Sequence, residues 1–200
     1  MKRSFSEKFQ FDLENGKIFR EIEAAYRAVW VVQNQSIYLI ATLGETISEM
    51  ISEAFDGGHY AAGWNLEENA NRIFFEKISE TEKEIRDWCG QNHCSVKQRL
   101  SEPDVLSVEM MKEAIGLVQQ KEPIHVSMNE AGVLLPAKSV CMVYRLTEDD
   151  CDGMRPGGCA GCEREDCLYK SNESNESNES NEWRGKASQM AAPQTAGRRN

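Results

Sequence analysis

The chain has 200 residues, of which 40% are hydrophobic, enough for one core with a small appended module. Its formal net charge of −10 supplies no basic field to displace phosphate counterions, which excludes a general nucleic-acid binder. A basic partner surface would suit that charge, and so would a plain role in keeping the protein in solution.

The first residues, MKRSFSEKFQFDLENG, carry two early basic side chains with no long apolar run behind them, and make a poor signal peptide. The most apolar stretches, Ala28–Val32 and Ile37–Leu43, are short and interrupted by Gln33, Asn34 and Gln35. Neither approaches the roughly 20 apolar residues that span a bilayer. The expectation is a cytoplasmic protein without a membrane partner.

Residues 12–32 are predicted to be mainly helical, because Leu13, Ile18, Ile22, Ala25, Val29 and Val32 recur on one face. SIYLIATLG reads as a buried strand ending in a glycine turn, and Glu45–Phe55 as a short helix stopped at Asp56-Gly57-Gly58. Asn65 is the predicted cap of a helix running to Cys89, with Leu66, Ala70, Ile73, Phe74, Ile78, Thr81, Ile85 and Trp88 as its buried stripe. Another helix is expected within Glu102–Lys121, closed by Pro123, with Val105, Val108, Met111, Ile115 and Val118 available for packing. The segment IHVSM, a turn at Gly132 and a second segment at Ser139–Leu146 read as strands. The expected fold is α+β, with helices packed on a modest antiparallel or mixed sheet over residues 12–146.

Composition changes sharply after Leu146. Residues 147–170 are charged and rich in glycine and cysteine, with little aliphatic material, so a metal would supply the organisation that packing cannot. Residues 171–200 begin with four copies of Ser-Asn-Glu, a polar tract expected to stay disordered, and end without a convincing fold.

Three of the seven cysteines, Cys159, Cys162 and Cys167, form a CxxCxxxxC run; Gly157, Gly158 and Gly161 let the backbone turn around a metal. Cys151 is the natural fourth ligand and Cys141 its competitor. Four thiolates suit an iron–sulfur cluster or, as the alternative, zinc. Cys89, His93 and Cys94 make a weaker donor group, otherwise read as a helix end and an ordinary loop. His59 and His125 are isolated.

Three segments, in this order, resemble the activation-domain superfamily of cobalamin-dependent methionine synthase, particularly its small stand-alone relatives. They are IYLIATLGETISEMI, PIHVSMNEAGVLLPAKSV and GCAGCEREDCLYK, and the resemblance runs from about Asp12 to Lys170. It implies an activation-domain-like fold with a small cysteine-rich C-terminal module. It also implies a role as accessory or reductive-activation factor for a corrinoid protein or corrinoid-dependent methyltransferase, with the corrinoid carried on the partner. Through the resemblance, Glu67, Glu68 and Arg99 would approach an S-adenosylmethionine site from one side, and Pro136, Lys138 and Ser139 from the other. The family's Arg-x-x-x-Gly-Tyr pattern departs here, since Pro103 and Asp104 stand in place of its glycine and tyrosine, and this counts against S-adenosylmethionine.

Read by their own chemistry, Arg99 suits a bidentate carboxylate contact or a surface salt bridge. Glu67 and Glu68 suit an amino group or a solvated helix face. Pro136 fixes a turn, beside which Lys138 and Ser139 would meet an anion or only solvent. Tyr144 reads as a packing residue rather than an acid.

Overall fold

The computed structural model describes residues 16–101 and 106–149. In chain order the elements are α1 (Lys17–Ala25), β1 (Arg27–Gln33), β2 (Ser36–Thr42), α2 (Gly44–Asp56), α3 (Tyr60–Gln91), β3 (Ser95–Leu100), α4 (Val108–Lys121), β4 (Ser127–Met128), β5 (Leu134–Leu135) and β6 (Ser139–Thr147). Four strands form a sheet in the order β1-β2-β6-β3, antiparallel at every pairing, and β4 and β5 make a separate short ribbon. The protein is thus α+β, with helices packed on both faces of an antiparallel sheet.

Alternation along the strands decides which side chain meets which layer. Ile37, Leu39 and Ala41 of β2 point with Met142 and Tyr144 of β6 into a core closed by α1, α2 and α3. The residues between them, Tyr38, Ile40, Cys141 and Val143, face the opposite way and pack under α4 with Ala114 and Val118. A period of two is what a sheet covered on both faces requires. The β1–β2 hairpin turns on Asn34 and Gln35, both at positive φ (50° and 55°), the conformation of a two-residue turn matched to strand twist.

β3 carries an irregularity that reassigns its side chains. Val96 pairs with Leu146 and Gln98 with Arg145, leaving Lys97 as an extra residue. Such a bulge inverts the facing of everything beyond it. Val96 accordingly lies in the α3-side core and Leu100 in the α4-side core, although four residues separate them.

Several expectations need correction. The helix expected over 12–32 ends at Ala25, and Val29 and Val32 belong to β1; residues 12–15 lie outside the described residues. Alternation explains the change, because Ala28 and Trp30 pack on the α3 side while Val29 and Val31 pack on the α4 side. Asn65 is no cap, since α3 begins at Tyr60, and its side chain accepts instead from Asn69 at 2.7 Å. The cap of α4 is Ser107, whose hydroxyl accepts from the Met110 amide at 3.3 Å. Of IHVSM only Ser127–Met128 is strand, and the strand Ser95–Leu100 went unexpected.

Candidate functional site

Polar side chains are gathered in two clusters, one where β2 and β6 meet below α3 and one further along α3. The first joins the end of β2 to the start of β6. Register pairs Thr42 with Ser139, and the Ser139 hydroxyl donates to Thr42 Oγ1 at 2.8 Å. The same oxygen accepts from the Gly44 amide at 2.9 Å, and the Leu43 amide donates to the Lys138 carbonyl at 2.9 Å. Lys138 Nζ reaches up to α3, where it bonds Glu67 Oε1 and, at 2.7 Å, Asn71 Oδ1. Lys138 and Glu67 are only 15% and 24% exposed, so solvent screens this pair less than an ordinary surface bridge.

The second cluster is centred on Glu82, which is fully buried. Its Oε1 accepts from the Tyr144 hydroxyl at 2.8 Å and lies 3.3 Å from Arg99 Nη1. Arg99 Nε also donates to Ser101 Oγ at 3.4 Å. Glu82 Oε2 is buried without a hydrogen-bond partner among the described residues. Burial, followed by the charge and hydrogen bond of Glu82, raises the Tyr144 phenol well above its ordinary value, while Arg99 opposes the shift. Tyr144 therefore remains a proton donor at any physiological pH. Nearby, Tyr26 shares a 2.9 Å hydrogen bond with Thr81, and burial pushes its phenol up to about 12.

The residues singled out in the sequence divide between these clusters. In the first, Lys138 meets Glu67 while neighbouring Ser139 bonds Thr42 instead, and Pro136 precedes them through a cis peptide bond after Leu135. Glu68 is exposed on α3. Arg99 belongs to the second cluster, fifteen residues further along α3, or about 22 Å at the helical rise. Glu82 was missed as a functional candidate. Its signal was its place on the apolar stripe, four residues after Ile78 and three before Ile85.

Chemically, the first cluster is a cation and two hydroxyls already engaged with internal partners. The second is a desolvated carboxylate with one oxygen left over, beside a phenol that keeps its proton and a guanidinium. Cys141, the competing metal ligand, is a core residue of β6 beneath α4, and burial raises its thiol to about 12. Among the described residues no group of three or more His, Cys, Asp or Glu is placed to hold a metal ion. Cys151, Cys159, Cys162 and Cys167 lie outside the described residues. Also among the described residues, no helix is long and apolar enough to cross a membrane. The chain matches no family model and no curated protein.

Proposed function

We propose that this protein is an accessory or reductive-activation factor for a corrinoid-dependent methyltransferase system, related in fold to the methionine synthase activation domain. In this reading Cys151, Cys159, Cys162 and Cys167 hold an iron–sulfur cluster in a small C-terminal module. Such a cluster would supply the one-electron chemistry needed to return the cobalt of a corrinoid carried by the partner from cobalt(II) to cobalt(I).

The supporting observation is the junction of two segments that carry the resemblance. Thr42-Leu43-Gly44 and Lys138-Ser139 are far apart in the chain but joined directly by the Ser139–Thr42 and Leu43–Lys138 hydrogen bonds. Segments chosen for their likeness to one family thus form one structural unit. S-adenosylmethionine binding is the weaker reading, because the Arg99 guanidinium already pairs with buried Glu82.

Protein purified without oxygen should contain about four iron and four acid-labile sulfide per chain, and its spectrum should change on reduction. The reduced protein, mixed with a corrinoid protein in the cobalt(II) state, should yield cobalt(I) absorbance. One zinc and no sulfide would sink the electron relay and leave a noncatalytic, zinc-stabilised partner-binding module.

A further inference from the structure

The C-terminus of α3 is closed by a backbone motif whose two contacting positions are both cysteines. The helix ends at Gln91 with Asn92 as its cap, and His93 then turns left-handed at φ 52°. Beyond that turn the Cys94 amide reaches back to the Cys89 carbonyl at 3.1 Å. This is the long hydrogen bond of a Schellman ending, which folds the second residue past the cap onto the side chain of the third-last helical residue. That contact is usually aliphatic; here it is Cys94 against Cys89.

The thiols themselves are neighbours. Cys94 Sγ lies 3.7 Å from the Cys89 carbonyl oxygen. Burial first, and the adjacent Cys94 second, push the Cys89 thiol up to about 12. Cys89 is 5% exposed, whereas Cys94 is half-buried and both are free thiols. His93 does not complete a metal site with them, since among the described residues no group of three donors is so placed. The pair is a dithiol.

We propose that Cys89 and Cys94 form a reversible disulfide by exchange with a low-molecular-weight disulfide, tying the end of α3 to the start of β3. This goes beyond the corrinoid reading and does not depend on it. The more accessible Cys94 thiolate attacks one sulfur of the small disulfide, breaks its S–S bond and releases one small thiol. The Cys89 thiolate then attacks Cys94 sulfur and displaces the second small thiol. The two protein thiols lose two electrons and two protons, and the small disulfide takes up both. The second step needs the Cys89 thiolate, which burial disfavours, so it quickens as pH rises.

The test treats the folded, reduced full-length chain with oxidised glutathione from pH 7 to 10, then blocks remaining thiols with N-ethylmaleimide. Trypsin releases Asp87–Lys97, which contains both cysteines. The expected peptide lacks two hydrogen atoms and carries no label, and it forms faster at higher pH. In Cys89→Ala, Cys94 should stop as the glutathione mixed disulfide; in Cys94→Ser, Cys89 should stay unoxidised at least about tenfold longer. The wild-type peptide decides the matter even where Cys89→Ala does not fold. Two alkyl labels or a linkage to any other cysteine would overturn the proposal.

Discussion

A single inserted residue sets the chemistry around Glu82. Without Lys97 as the extra residue of the bulge, Arg99 would share the facing of Leu100's present side and turn toward α4. With it, Arg99 stands opposite Tyr144 in register, on the face where α3 presents Glu82. Burying a carboxylate is expensive unless charge and hydrogen bonds compensate, so removal of one partner should be far worse than removal of both. Arg99→Met should destabilise by about 3 kcal/mol and Tyr144→Phe by about 1–2 kcal/mol. Adding Glu82→Met to Arg99→Met should recover most of the first loss. Urea denaturation in a double-mutant cycle measures this directly, and strictly additive losses would mean that the pair is not coupled. The buried position of Glu82 was open to reading from its place on a helical stripe, although the residue was missed as a functional candidate. Arg99's partner was not, because only the bulge determines its facing.

At the scale of elements, Gly44 links the strand-ending Thr42 to helix α2. Its φ of +75° is one that side chains resist, yet an added Cβ would meet nothing within 4 Å. The penalty is thus backbone strain alone, and Gly44→Ala should lower stability by about 1 kcal/mol, with Gly44→Asn lowering it less. Equal urea midpoints for wild type and Gly44→Ala would show that the turn relaxes without penalty. The same glycine made β2 and α2 readable, since a β-branched run, a glycine and a helical period follow one another. β1 was obscured because nothing breaks the chain between Ala25 and Arg27, and Val29 and Val32 happen to extend the helical spacing. β3 was obscured for a different reason. The bulge leaves Val96 and Leu100 on opposite faces, so SVKQRL never shows the alternation by which a strand is recognised. In the candidate site, the Lys138–Ser139 segment was legible as a motif, but its link to Glu67 depends on how α3 crosses the sheet.

The molecule as a whole buries ionisable thiols and phenols in both of its cores. Cys89, Tyr26 and Tyr144 lie on the α3 side and Cys141 on the α4 side, each raised chiefly by desolvation. For each, the folded state holds its proton to higher pH than the unfolded chain does. Their contribution is therefore fully present below the unfolded value and is lost as pH rises toward the folded one. For Cys141 that window runs from 9.0 to about 12. Each such group removes about 1.4 kcal/mol per pH unit within its window. Urea midpoints should accordingly hold steady to about pH 9 and then fall steeply. Cys141→Ala should begin less stable by about 1 kcal/mol from lost packing but fall less steeply, so that its curve meets and crosses that of wild type. The net charge of −10 offers a competing cause, since added negative charge at high pH increases self-repulsion. Salt separates the two. Repulsion between surface charges is screened, whereas burying a thiolate in the β6 core remains unfavourable at any ionic strength. Crossing curves that persist in high salt would assign the alkaline loss to the buried thiol, and parallel curves that flatten in salt would assign it to surface charge.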